Sequence, residues 1–197
     1  MVIIEMIILA RLLVAIVVNL MFEKMVKPPN DTDQSDKIID DKVTNDIKNR
    51  RKMFIVHAIR STITLYHLYY CIYSSFSIFE MLCLFFLFFG FFLRIWSFQT
   101  LGHFFTFDLC IRKDHLLITE GPYKYLMHPS YTGLILFIFS GLLYFGIHYL
   151  LAIIYLLFGC YQFKKRMDNE EKMLEEKFGQ EFKDYAKKRW RLVPYIY

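Results

Sequence analysis

The sequence predicts an all-α integral membrane protein with about five transmembrane helical segments. Its 197 residues have the length of one domain. Apolar residues make up 56% of the chain and aromatic residues 19%, and they fall in long blocks separated by charged segments. The blocks at 1–21, 53–76 and 78–98 each have roughly the 20 residues that cross a bilayer core as a helix.

A polar segment at 22–52 joins the first two of these blocks. It is rich in Asp, Lys, Asn and Thr, includes the turn residues Pro28 and Pro29, and has little to bury. We therefore expect a mobile loop. Its end at 48–52 is a basic cluster, which marks the cytosolic side of a membrane. Residues 1–98 are predicted to form an N-terminal region of transmembrane helices.

Residues 99–197 are predicted to form a second region, in which a helical hairpin follows a polar segment. The apolar run 131–163 would measure about 50 Å as one straight helix, whereas a hydrocarbon core is about 30 Å thick. Two shorter legs joined at Gly146 fit better. After Lys164 the chain is polar, and the apolar side chains that recur at helical spacing predict a cytosolic amphipathic helix. These side chains are Leu174, Phe178, Phe182 and Tyr185.

The distribution of Lys and Arg predicts the orientation. Both residue types crowd into 22–52, the central polar segment and the C-terminal tail, and they are absent from the turns at Ser74–Ser77 and Gly146. Five spans with the charged segments on one side satisfy the positive-inside rule. The N-terminus would then be lumenal and the C-terminus cytosolic.

Composition argues against several other classes. The net charge of +5 comes with mixed signs and no continuous basic stripe, so a nucleic-acid partner is not expected. His57 and His67 lie about 280° apart around a helix, so they do not share a metal-binding face. The cysteines are isolated, which favours neither disulfides nor zinc; they are Cys71, Cys83, Cys110 and Cys160. No metal is expected.

The central segment between the apolar blocks is the candidate functional region. Gly121-Pro122 is a turn signal, and Pro129 discourages a helical conformation at His128. Polar, irregular backbone beside membrane helices needs cover from protein or water. One interpretation is a pocket wall at the membrane edge. The other is an interfacial loop whose Tyr and His side chains anchor in the headgroup region.

A second candidate lies where the hairpin passes into the tail. If its second leg continues as a helix, Arg166 and Glu170 lie four residues apart on one face. The alternative to a functional role is an ordinary exposed ion pair, worth a few tenths of a kcal/mol.

These two regions together resemble the isoprenylcysteine carboxyl methyltransferase family. The first motif is H-x-L-x-x-x-G-P-Y-x-Y-x-x-H-P-S-Y, which begins at His115. The second is E-E-x-x-L-x-x-x-F-G-x-x-[FY]-x-x-Y, which begins at Glu170. The segments Leu101–Thr106 and Arg191–Pro194 are also similar to the family. The resemblance covers about half of the chain.

The resemblance implies S-adenosylmethionine as cofactor and the C-terminal carboxylate of a prenylated cysteine as acceptor. By matched position, the cofactor-binding residues would be His115, Leu116, Leu117, Ile118, Tyr123, His128, Pro129, Ser130, Tyr131 and Glu170. Glu170 would bind the amino group of the cofactor. Arg166 would hold the acceptor carboxylate, as both the substrate-binding and the catalytic residue.

The same resemblance implies the setting of the reaction. Prenylated CaaX-type proteins or prenylcysteine lipids would be the substrates, and the site would face the cytosol from a multi-pass position in the endoplasmic reticulum membrane. One position departs from the family pattern: Met127 stands where Arg usually precedes His-Pro. That cation is missing beside His128.

Three other functions remain open at this point. A phospholipid N-methyltransferase would use the same cofactor on an amine, but a carboxylate pocket with Arg166 argues against it. A nicotinamide-dependent sterol-type reductase has a similar C-terminal architecture but a different cofactor. A non-catalytic membrane scaffold would explain the hydropathy and leave the paired motifs unexplained.

Overall fold

The computed structural model describes residues 2–26, 62, 77–105 and 116–195. These residues form α-helices and contain no strand beyond one isolated bridge, between Leu126 and Trp190. The helices are α1 (Val2–Val26), α2 (Ile78–Leu101), α3 (Pro129–Tyr144), α4 (Tyr149–Phe178) and α5 (Gln180–Lys187), with short 3-10 helices at Gly102–Phe104 and Gly121–Lys124. The predicted all-α class is confirmed for these residues. The predicted second span at 53–76 and the loop at 27–52 lie outside them, Thr62 excepted.

The chain divides into two compact units, 1–77 and 78–197. In the first unit, α1 extends through Val26, so the polar loop begins later than the predicted residue 22. The reason is visible in the burial pattern. Met21 and Met25 are buried and continue the helical face of Val18, so the helix remains favourable past its apolar block.

Two helices in the described residues are long and apolar enough to cross a membrane, Glu5–Met25 and Ile78–Phe104. Each reaches a mean hydropathy of 2.2, and only 22% of each window is buried. Along α2, large side chains such as Phe85 and Phe92 are 61% and 64% exposed. A surface with this much exposed apolar area is typical of a membrane protein rather than one surrounded by water.

The second unit is organised by close packing of α2 against α3. A Cβ added to Gly90 would lie 2.6 Å from the carbonyl oxygen of Gly133, and a Cβ added to Gly133 would lie 2.6 Å from that of Gly90. Two glycines therefore let the helix backbones touch, as small residues do in membrane helix pairs. This contact brings the polar end of α2 to the start of α3. The helix α2, which the sequence assigns mostly to the N-terminal region, is thus part of the 78–197 unit.

The connection between α3 and α4 falls at the predicted position. Helix α3 ends at Tyr144, Gly146 has a left-handed φ of 77°, and α4 begins at Tyr149. The side chain of His148 caps α4 by accepting a hydrogen bond from the N–H of Leu150 at 3.3 Å. The two helices run antiparallel. Residues near the start of α3 therefore face the latter half of α4.

Helix α4 continues without interruption from the apolar leg into the polar tail, up to Phe178. The tail then turns at Gly179, which has a left-handed φ of 54°, and α5 follows. The predicted C-terminal amphipathic helix is therefore two helices. Phe182 and Tyr185 on α5 are buried, whereas Phe178 before the turn is half-buried. The turn lets α5 fold its apolar face back onto the unit.

Candidate active site

The tail and the central motif are joined through their backbones. The N–H of Met127 donates to the carbonyl of Trp190 at 2.8 Å, and the N–H of His128 donates to that of Arg191 at 3.1 Å. The N–H of Trp190 donates in turn to the carbonyl of Tyr125 at 3.3 Å. His128 has φ −126° and ψ 58°, and α3 begins at Pro129. The predicted helix break at His128 is confirmed. The break leaves backbone N–H groups without helical partners, and carbonyl groups of the tail accept their hydrogen bonds.

Tyr131, in the first turn of α3, lies between Arg166 and Glu170 of α4. The Nε–H of Arg166 donates to the Tyr131 hydroxyl at 2.8 Å, and that hydroxyl donates to Oε2 of Glu170 at 3.0 Å. The Tyr131 ring also packs on Phe163, with centroids 5.4 Å apart. The predicted placement of Arg166 and Glu170 on one helical face is confirmed. A cationic and an anionic group therefore meet at one hydroxyl.

Glu171 is the centre of a second cluster beside the first. Its Oε1 lies 2.6 Å from Nε2 of His128 and accepts a hydrogen bond from Nε of Arg191 at 2.7 Å. Burial raises the pKa of Glu171, but the hydrogen bonds from His128 and Arg191 outweigh that effect and leave the pKa below its usual range. Glu171 is thus ionised at neutral pH. Arg191 also contacts Asp168, and this hydrogen bond is the largest of the effects that lower the Asp168 pKa.

Arg94 connects α2 to the first turn of α3. It is only 6% exposed, and its terminal nitrogen donates to both the carbonyl oxygen and the hydroxyl oxygen of Ser130, at 3.1 and 3.0 Å. Its guanidinium lies 4.7 Å from the ring centroid of Phe98. A buried cation held by hydrogen bonds and an aromatic face is a well-satisfied group. Ser130 is therefore held by protein from the α2 side.

Tyr123 is a buried residue of the central motif that contacts the C-terminal part of the chain. Its carbonyl accepts hydrogen bonds from the Tyr185 hydroxyl and from Nε of Arg189, both at 3.0 Å. The Arg189 guanidinium also lies 4.1 Å from the ring centroid of Tyr185. Burial raises the pKa of Tyr185 to about 12 and that of Tyr123 well above its usual value. Both phenols are neutral, and the hydrogen bonds to the Tyr123 carbonyl join the central motif to α5 and the residues after it.

The structure brings some of the predicted site residues together and leaves others apart. Tyr131, Arg166 and Glu170 are in contact, and His128 lies beside them with ring centroids of His128 and Tyr131 5.6 Å apart. Pro129 and Ser130 are buried at the start of α3. Leu116 is exposed, and Leu117 and Ile118 are half-buried. His115 lies outside the described residues.

Several residues contribute to the site without having been predicted from the sequence. Glu171 stands in the Glu-Glu doublet of the second motif, and Arg191 in the closing Arg-Leu-Val-Pro, so the motifs contained both without indicating their contacts. Arg94 is the only basic residue of α2, a helix otherwise rich in Phe and Leu, and a charge within such an apolar helix is itself a signal of a buried functional partner. Among the described residues, no group of three or more His, Cys, Asp or Glu side chains is arranged to hold a metal ion.

The fold and the site define a helical membrane protein with a cluster of hydrogen-bonded polar side chains where apolar helices pass into a charged tail. Residues 81–176 match the family model described as the isoprenylcysteine carboxyl methyltransferase (ICMT) family. This segment, about half of the chain, is similar to that family, and the resemblance seen in the motifs is confirmed.

Individual relatives agree with this assignment. A protein-S-isoprenylcysteine O-methyltransferase from Dictyostelium discoideum is 37% identical over 87 residues, 44% of this chain and 36% of the relative. Protein-S-isoprenylcysteine O-methyltransferase B from Arabidopsis thaliana is 31% identical over 106 residues, 53% of each chain. The chain thus covers between about a third and a half of these two relatives.

A solved structure is also similar. It is that of the eukaryotic intramembrane Ras methyltransferase ICMT, with a TM-score of 0.57 and 25% sequence identity. The similarity covers 88% of this chain and 60% of the solved one. The helical architecture described above is therefore that of a known intramembrane enzyme fold.

Proposed function

We propose that this protein transfers a methyl group from S-adenosylmethionine to the C-terminal carboxylate of a prenylated cysteine. The names of its relatives support the reaction class. The observation that carries the proposal is the contact of Arg166 and Glu170 with the one hydroxyl of Tyr131. A guanidinium for a carboxylate acceptor and a carboxylate for an ammonium-bearing cofactor then lie side by side.

The residues at this point fit the cofactor. The amino group of S-adenosylmethionine calls for a carboxylate, and its sulfonium for aromatic faces. Glu170 offers the carboxylate. The aromatic faces come from three neighbouring rings: the Tyr131 centroid lies 5.6 Å from that of His128 and 5.4 Å from that of Phe163. When bound, the cofactor supplies an electrophilic methyl group. The other residues proposed for the cofactor site are 115–118, Tyr123 and 128–131.

Methyl transfer to a carboxylate requires the protein mainly to orient the two reactants. A carboxylate acceptor is already ionised at neutral pH, so no general base is needed. Arg166 binds that carboxylate, and its hydrogen bond to Tyr131 fixes the plane of the guanidinium. Glu170, one helical turn away, fixes the other reactant. Holding two reactants at a set distance is the larger part of catalysis in such a displacement.

The membrane setting is part of the proposal. Five helical segments, the α3–α4 pair as a hairpin and a lumenal N-terminus would place the polar tail and the pocket on the cytosolic face of the endoplasmic reticulum. In this proposal residues 1–98 supply transmembrane helices and 99–197 the methyltransferase core, with α2 as the transmembrane helix that packs on the core. Substrates would be prenylated CaaX-type proteins or prenylcysteine lipids reached through the surrounding lipid. Neither a nucleic acid nor a metal has a role.

Calorimetry on the detergent-purified protein tests the proposal first. We expect binding of S-adenosylhomocysteine and none of reduced nicotinamide dinucleotide phosphate, which separates the methyltransferase from the sterol-type reductase. An assay with farnesyl- and geranylgeranyl-cysteine analogues against a phosphatidylethanolamine acceptor then separates carboxyl methylation from phospholipid N-methylation. Methylation of the phospholipid alone would overturn the proposed acceptor.

A further inference from the structure

Arg191 lies in the tail after α5 and reaches back to one face of α4. Its Nε donates to Oε1 of Glu171 at 2.7 Å, and a terminal nitrogen contacts Oδ1 of Asp168. Asp168 and Glu171 are three residues apart and so lie on the same side of the helix. The planar guanidinium is the side chain best suited to bridge two carboxylates in this way. The side chains of Arg191 and Glu171 are 16% and 23% exposed, so their contact is largely shielded from water, whereas Asp168 lies on the exposed side of the bridge.

Arg191 also engages His128, in two ways. Its carbonyl accepts the backbone N–H of His128 at 3.1 Å. Its guanidinium binds the same Oε1 of Glu171 that lies 2.6 Å from Nε2 of His128. Because Glu171 is ionised, Nε2 carries the proton in this contact. One carboxylate oxygen therefore orients the imidazole, and Arg191 holds that oxygen in place.

The contacts of Glu171 also concern Glu170. Consecutive residues on a helix point about 100° apart, and Glu170 accepts its hydrogen bond from Tyr131 on the other side. Glu171 is held by Arg191 and His128, whereas Glu170 is the carboxylate that contacts the Tyr131 hydroxyl, to which Arg166 also donates. Met127, the residue before His128, carries no charge. Arg191 of the tail instead places a cation near His128, on the carboxylate oxygen of Glu171 that both residues contact.

We propose that Arg191 is a positioning residue of the cofactor site: acting through Glu171, it sets the orientation of His128 in the pocket. This inference rests on the proposed function, because His128 is placed in the S-adenosylmethionine site. Arg191 itself touches neither reactant. It connects the C-terminal tail to the pocket, so that the site is complete only when the tail is docked.

The test compares variants of the full chain with the parent by S-adenosylhomocysteine calorimetry. Arg191→Ala should weaken binding about ten- to a hundredfold, the effect of losing one charge-assisted hydrogen bond. Arg191→Lys should recover only part of this affinity, because an ammonium cannot bridge both carboxylates. Lys187→Ala removes an exposed tail cation that pairs with Asp184 on α5 at 4.0 Å, and it should bind like the parent. With prenylcysteine analogues, Arg191→Ala should raise the KM for S-adenosylmethionine and leave that for the acceptor unchanged.

The Glu171→Gln background separates positioning from simple tail docking. If Arg191 acts through Glu171, adding Arg191→Ala to Glu171→Gln should weaken binding by less than threefold, a non-additivity expected for contacting residues. Full additivity would show that Arg191 only anchors the tail, and it would overturn the inference. Arg191→Lys in the same background gives this comparison if the alanine variant does not fold.

Hydrogen exchange gives a readout that does not depend on the cofactor. The amides of Met127 and His128 should exchange faster in Arg191→Ala and at the parental rate in Lys187→Ala. Unchanged exchange would overturn the inference, whatever the ligand. Glu171→Gln should raise the exchange of the same amides as Arg191→Ala does, because the proposed coupling passes through Glu171. If the parent protein does not bind S-adenosylhomocysteine but both variants show this faster exchange, the proposed function fails and the coupling of Arg191 to His128 stands.

Discussion

Glu170 and Glu171 are adjacent on α4, yet their carboxylates serve different sides of the site. Glu170 accepts from the Tyr131 hydroxyl at 3.0 Å, whereas Glu171 lies 2.6 Å from Nε2 of His128. One residue of helical rotation separates the two directions. The two residues of the Glu-Glu doublet thus have different roles. Glu170 faces the proposed ligands, and Glu171 holds His128 and Arg191 in place.

Arg166→Ala should chiefly impair use of the acceptor. Its guanidinium is proposed to bind the prenylcysteine carboxylate, and losing such a contact should cost about 2–4 kcal/mol, or roughly thirty- to a thousandfold in kcat/KM. Affinity for S-adenosylhomocysteine should stay nearly intact. Arg166→Lys should restore little, because a point charge does not reproduce the planar fork. Normal kinetics in a folded alanine variant would reduce Arg166 to a structural partner of Tyr131.

Glu170→Gln should impair the cofactor instead. The amide keeps the size and can still accept from Tyr131, but it lacks the charge that an ammonium requires. We expect S-adenosylhomocysteine affinity to fall about tenfold or more, with the KM for the acceptor little changed. Glu176→Gln, at an exposed position on the same helix, is the matched control. Equal affinity in both variants would remove Glu170 from the cofactor site.

Gly90→Ala and Gly133→Ala should destabilise the α2–α3 pair. Each added methyl would meet opposing backbone at 2.6 Å, a contact that only backbone movement can relieve. Overpacking of this kind costs about 1–3 kcal/mol. Gly141→Ala on α3 is the control, since its Cβ would lie at an ordinary 3.7 Å from a methyl of Leu87. Thermal unfolding in detergent measures the difference, and equal midpoints for all three variants would contradict the close contact.

The cluster around Glu171 should make stability depend on pH at the acid end. Its folded pKa lies below the ordinary value of 4.5, so its contribution is fully present above that value. The contribution is lost as the pH falls through the folded pKa. The parent protein should therefore lose stability below about pH 4.5 more steeply than Glu171→Gln, which has no such group to protonate. Parallel unfolding-versus-pH curves for the two proteins would show that the Glu171 contacts contribute nothing.

Short-range patterns determined much of this protein in advance. Hydropathy blocks predicted α1 and α2, Pro129 the break at His128, and Gly146 the turn between α3 and α4, because each depends on neighbours along the chain. The prediction that Arg166 and Glu170 share one face depended only on an uninterrupted helix through both residues. Gly179 shows the limit of such rules: the helical spacing continues through it, and only the backbone reveals the turn.

The site itself was decided by tertiary structure. Tyr131 lies 35 residues from Arg166 and 39 from Glu170, and His128 lies 43 from Glu171. No periodicity relates residues so far apart. Their meeting depends on the antiparallel packing of α3 on α4 and on where the tail docks, both of which follow from the sum of many side-chain contacts. The motifs identified which residue types the pocket would use, and the packing determined which of them meet.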